Sequence, residues 1–123
     1  MNNSLRKLAV LGLAPAVMLS VLSLSSTTMA EDKKAKMTGK EIAFDRKKGN
    51  CLACHKIAGG NLAGNIGPEL IAMKARGFDK EKLRAQIEDA SIANPETIMP
   101  PFGKHKILSE KEIDKVVDFI LTL

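Results

Sequence analysis

Both cysteines of this chain stand in one five-residue string, Cys51-Leu52-Ala53-Cys54-His55. Nothing else in the sequence restricts the possible folds as sharply. C-x-x-C-H is the attachment signature of c-type haem. Two thiols three residues apart on one helical turn can form thioethers with the two vinyl groups of a single porphyrin. The adjacent His55 then points its imidazole at the iron. Three other readings fit worse. A thiol–disulfide motif normally lies near a βαβ pattern, and no such pattern is visible. A zinc site takes four ligands. Cys51, Cys54, His55 and His105 are the only cysteines and histidines present, and ligation by adjacent Cys54 and His55 is awkward. A disulfide across two intervening residues would staple almost nothing.

Composition enters the argument through the core. The chain has no Trp, no Tyr and only four Phe: Phe44, Phe78, Phe102 and Phe119. Chains this small bury a modest fraction of their surface and often need a staple. A flat apolar macrocycle would fill that need. The formal charge of +5, to which Arg6 and Lys7 contribute two, is too weak to indicate nucleic acid. Aromatic-plus-basic patterning for single strands is lacking as well.

Residues 1–30 read as a secretory signal. Arg6 and Lys7 lead into the apolar run Leu8 to Leu24, and small polar residues end at Thr28-Met29-Ala30. Cleavage is expected after Ala30, leaving one domain over residues 31–123. A retained anchor fits less well, because a run of about 17 apolar residues is at the lower limit for spanning a bilayer and Pro15 interrupts it. Export agrees with c-type haem, which is attached outside the cytoplasm. The expected location is the periplasm, with no membrane attachment after cleavage.

Residues 31–37 are charged and expected to fray. Thr38-Gly39-Lys40-Glu41 then forms a capping box, opening a helix expected to stop at Gly49-Asn50. Ile57 to Pro68 is glycine-rich loop. Pro68-Glu69-Leu70 predicts a short helix through Lys74. Asp79 caps a helix with Leu83, Ile87 and Ala90 on one stripe, ended by Asn94-Pro95. Ile98 to Gly103 reads as an extended, stiff loop. Ser109-Glu110-Lys111-Glu112 is a second capping box, followed by Ile113, Val116, Val117 and Ile120 at helical spacing. No run alternates, so the expected class is all-α.

An iron-bound imidazole usually donates its other N–H to a carbonyl or carboxylate, and Gly67-Pro68 is placed to supply a backbone carbonyl. Pro68 also reads as a simple first-turn helix proline, and the two roles are compatible. For the sixth iron position the candidates are Met37, Met73, Met99 and His105. Met73 on its short helix reads as core filling. Met99 precedes two prolines in a loop without apolar periodicity, so it is the first choice, with His105 next. A thioether ligand favours ferrous iron and raises the potential. An iron left open would instead bind small molecules.

The segments GNCLACH, GNIGPEL, LRAQIEDASIANPETIMPPFG and KHKILSEKEIDKVVDFILTL together resemble the SoxX family over about Gly39 to Leu123. These are monohaem cytochrome subunits of SoxXA complexes in bacterial thiosulfate oxidation. The resemblance implies a small cytochrome-c-like helical domain around one covalently bound haem c. Cys51 and Cys54 would form its thioethers, with His55 and Met99 as axial ligands. It implies electron transfer within an L-cysteine S-thiosulfotransferase complex that couples thiosulfate to a carrier-protein cysteine. The expected partners are a SoxA-like cytochrome subunit, a SoxYZ-like carrier reached through the complex, and a small cytochrome c as acceptor. With no spare cysteine here, the sulfur chemistry would fall to the partner chain. The Thr38 and Ser109 helices are expected to cross at the haem edge, with Phe44 and Phe119 in contact there. The rival reading is an independent, diffusible monohaem carrier.

Overall fold

The computed structural model describes residues 36–123, so the expected signal segment and its cleavage site lie outside the described residues. Three α-helices organise them: α1 (Gly39–Phe44), α2 (Lys80–Asp89) and α3 (Glu110–Ile120). Short 3-10 turns cover Cys51–Ala53 and Ala90–Ile92. No strand is present among these residues. One isolated parallel bridge joins Ile57 and Leu70.

Each helix begins where its capping chemistry dictates. Thr38 Oγ1 accepts the Glu41 N–H at 3.2 Å, and Glu41 Oε2 accepts the Thr38 N–H at 2.7 Å. Asp79 Oδ1 accepts the Lys82 N–H at 2.8 Å. Glu112 Oε2 accepts the Ser109 N–H at 2.9 Å. Such caps stabilise a helix by roughly 0.5–2 kcal/mol.

Helices α1 and α3 pack against each other, and α2 packs on α3. Ile42 and Ala43 meet Ile113, Val116, Val117 and Ile120 in the interior, with Leu83 and Ile87 of α2 in the same cluster. Burying each large aliphatic side chain stabilises the fold by roughly 1.5–3 kcal/mol. The crossing of α1 and α3 depends on Gly39. A Cβ there would lie 1.9 Å from the Lys115 carbonyl oxygen. Beside it, the Phe44 and Phe119 rings meet edge to face, with centroids 5.9 Å apart and an interplanar angle of 83°. The expected crossing and its aromatic pair are both present.

Three local expectations need correction. Helix α1 ends at Phe44 rather than near Gly49. Asp45 leaves the helix because its carboxylate accepts the Lys47 N–H at 2.7 Å, offering the backbone an alternative to the helical ladder. The chain then turns back, and the Gly49 N–H reaches the Ile42 carbonyl at 3.1 Å. The short helix expected from Pro68 through Lys74 does not form. Leu70 instead runs extended and donates to the Lys56 carbonyl at 2.9 Å, and residues 73–77 are turn. Lastly, Met37 is not frayed. It packs against the core, and its carbonyl accepts from Lys115 Nζ at 2.9 Å.

Candidate functional site

The Cys51–Ala53 turn is entered through Asn50, whose φ of 46° puts it in the left-handed region. The Cys51 carbonyl accepts the His55 N–H at 2.8 Å, so both thiols and the imidazole issue from one tight turn. The glycine-rich loop clasps this turn. Gly64 donates to the Leu52 carbonyl at 2.7 Å, and Gly67 donates to the Cys54 carbonyl at 2.8 Å. The approach leaves no room for a side chain: a Cβ on Gly67 would sit 2.5 Å from His55 Cε1. Pro68, next in the chain, places its carbonyl oxygen 2.7 Å from His55 Nδ1. A carbonyl can only accept, so Nδ1 carries the proton and Nε2 keeps the lone pair that a metal would take.

A cavity of about 810 Å³ opens beside this turn. Cys51, Cys54 and His55 line it, as do Leu83, Gln86 and Ile87 of α2, Val116 and Ile120 of α3, and Met99 of the loop after α2. Its volume falls within the roughly 300–1,000 Å³ of small-molecule and cofactor pockets.

The Met99 loop is fastened at both ends. Thr97 Oγ1 accepts the Met99 N–H at 3.2 Å. Beyond the two prolines, Phe102 and Gly103 donate to the Ile87 and Glu88 carbonyls at the end of α2, at 3.2 and 3.1 Å. Gly103 permits this docking, since a Cβ there would come within 2.7 Å of Glu88 Cγ. Lys104 pairs with Asp89 at 2.8 Å, and Lys104 and Ser91 together hold the Asp89 carboxyl below its usual range.

The other sixth-position candidates are placed differently. Met73 lines the cavity but is 2% exposed, and its sulfur lies 3.6 Å from Arg76 Nη1. It stands on a turn rather than a helix, and packing explains it. His105 is exposed and lies outside the cavity lining, as does the partly buried Met37.

Sequence reasoning missed two features. One is Gln86, a polar residue between Leu83 and Ile87 on the face of α2 that lines the cavity. Its lone polarity on an apolar stripe was the available signal. The other is the ion pair of Lys48 with Glu112, which ties the segment before Cys51 to the start of α3. No sequence spacing could reveal it.

Residues 34–120 match the family described as cytochrome c oxidase, cbb3-type, subunit III. The chain belongs to that family. It is therefore a c-type cytochrome domain, with an electron-transfer role and covalently bound haem c. An uncharacterized lipoprotein of Aquifex aeolicus (strain VF5) is 36% identical over 75 residues, covering 60% of this chain. The chain spans only 36% of that relative's length. The crystal structure of SoxXA from P. pantotrophus superposes with a TM-score of 0.61 at 27% identity. That match covers 68% of this chain and 77% of the other.

The cavity suits the cofactor of this cytochrome family. Its walls are mainly apolar, with Arg46, Lys48 and Arg76 among the charged residues that also line it, and two thiols and an imidazole with a free Nε2 meet on one side. A thioether is brought to the same space. Desolvation pushes the Cys51 thiol up to about 11, so it stays protonated near neutral pH, unlike the activated thiolate of a disulfide exchanger. When bound, haem supplies a one-electron iron couple. The chain itself holds the His55 imidazole through the Pro68 carbonyl, lines the cavity with apolar side chains, and keeps the Met99 loop docked on α2.

Proposed function

We propose that this cytochrome is the SoxX-like electron-transfer subunit of a SoxXA-like thiosulfate-oxidising complex. In this reading it carries one haem c. Cys51 and Cys54 form the thioethers, His55 and Met99 are the axial ligands, and the Pro68 carbonyl orients His55. The observation that supports it most is the convergence of the C-x-x-C-H turn and the Met99 loop on one apolar cavity. The likeness to the SoxXA structure adds to that.

Residues 1–30 are a signal peptide cleaved after Ala30, which delivers the protein to the periplasm. There it pairs with a SoxA-like cytochrome subunit that performs the sulfur chemistry on a SoxYZ-like carrier. This chain passes the electrons on to a small cytochrome c. Among the described residues no helix is long and apolar enough to cross a membrane.

The test is tagged purification from the periplasm of the native host, followed by mass spectrometry and a visible spectrum. The expected result is a second C-x-x-C-H-bearing subunit in equal amount, one haem per copy of this chain, and a mature N-terminus at Glu31. Thiosulfate should reduce the haem only when the partner and carrier are present. Recovery as a lone monomer that thiosulfate never reduces would favour the independent carrier instead.

A further inference from the structure

We infer that Gln86 is a positioning residue for the Met99 thioether, donating its side-chain N–H to the sulfur and so deciding which lone pair faces the cavity. This rests on the reading of Met99 as an iron ligand.

Three observations carry it. Gln86 Nε2 lies 4.0 Å from Met99 Sδ, within reach of a weak sulfur hydrogen bond. It is the one hydrogen bond that the Gln86 side chain makes among the described residues. Gln86 also lines the cavity on a rigid element, flanked by Leu83 and Ile87, which are both buried. Finally, the loop that carries Met99 fixes its backbone only, through Thr97 and the docking of Phe102 and Gly103 on α2.

A methionine side chain has three rotatable bonds, so a fixed backbone leaves its sulfur free to turn over. The sulfur carries two lone pairs. Directing one at an amide on a helix leaves the other for the metal in one configuration. Groups held by helices are placed more narrowly than groups held by loops. The cavity's other sulfur, in Met73, contacts a guanidinium on the same turn and has no such helix-borne donor.

The experiment uses the holoprotein with Gln86→Leu, Gln86→Glu and Met99→Ala. Leu removes the donor. Glu keeps the length and polarity but offers only acceptors near neutral pH, so a purely structural role would survive it. Two readouts apply: the affinity of imidazole for the ferric haem, which displaces the sixth ligand, and the NMR resonance of the Met99 ε-methyl. Wild type should show one methyl signal. Both Gln86 variants should bind imidazole about two- to tenfold tighter, the range for one lost hydrogen bond, and show a broadened or doubled methyl signal. Melting of each holoprotein checks that it is folded. If both Gln86 variants match wild type while Met99→Ala opens the iron, the positioning role is wrong and the ligand stands. If Met99→Ala keeps the wild-type spectrum, the ligand reading itself has failed and the inference falls with it.

Discussion

In the proposed reading, single residues in the cavity wall divide between ligation and packing, and the two methionines are the test of that division. Met99 sits on a loop stiffened by Pro100 and Pro101, whereas Met73 is buried against the Arg76 guanidinium. Met99→Ala should lower the reduction potential and admit cyanide or carbon monoxide to the iron, with the helices intact by circular dichroism. Met73→Ala should leave the visible spectrum unchanged and cost roughly 2–5 kcal/mol of stability. Denaturant titration of the two holoproteins beside their spectra checks both statements. A Met99→Ala protein with a wild-type spectrum would move the ligand to Met73. Gly67 shows a different dependence at this scale. Its lack of a side chain brings the Pro68 carbonyl close enough to fix the His55 tautomer.

At the scale of elements, the decisive contacts lie at helix ends and crossings. Gly39 lets α1 approach the Lys115 carbonyl of α3. Ala there would gain helix propensity of about 1 kcal/mol but force the helices apart, and overpacking costs roughly 1–3 kcal/mol. The expected outcome of Gly39→Ala is a net loss in denaturant stability together with a changed Phe119 environment by NMR. Glu112 has a double role, capping α3 and pairing with Lys48, with the two side chains only 6% and 17% exposed. Desolvation alone would raise its carboxyl. The Lys48 ammonium and the Ser109 N–H and hydroxyl outweigh that and hold it at about 2, below its ordinary 4.5. A folded value below the unfolded one stabilises the protein at pH above the unfolded value, and that contribution disappears as pH falls through the folded value. The Glu112 share should thus be whole above about pH 5 and lost on the way to pH 2. It amounts to something on the order of 3 kcal/mol. Glu112→Gln should be less stable at pH 7 and show a shallower stability loss between those limits. Urea midpoints across the pH series check this, and parallel wild-type and mutant curves would refute it.

For the whole molecule, the cavity is as important as the core. The three helices close a modest cluster of aliphatic side chains around α3, while a space of about 810 Å³ lies beside the C-x-x-C-H turn. Filling that space with a covalently held macrocycle supplies interior that a small domain without Trp or Tyr cannot make from side chains alone. A Cys51→Ser, Cys54→Ser, His55→Ala chain should therefore show weak helicity and no cooperative melt, against a sharp transition for the holoprotein. A cooperative, protected apoprotein by hydrogen exchange would mean that the protein core suffices.

Local chemistry determined what the sequence by itself could reveal. Capping boxes at Thr38 and Ser109, the apolar stripe of α3 and the C-x-x-C-H string each depend on residues within a few positions of one another. Spacing therefore predicts them, along with the all-α class. Competition between local and distant partners decided the rest. Asp45 ended α1 early because its carboxylate captured a nearby N–H. Pro68 to Lys74 stayed out of helix because Leu70 bonded to Lys56 across the loop. Lys48 with Glu112 and Gln86 with Met99 join residues far apart or on different elements, so only the tertiary structure could bring them together.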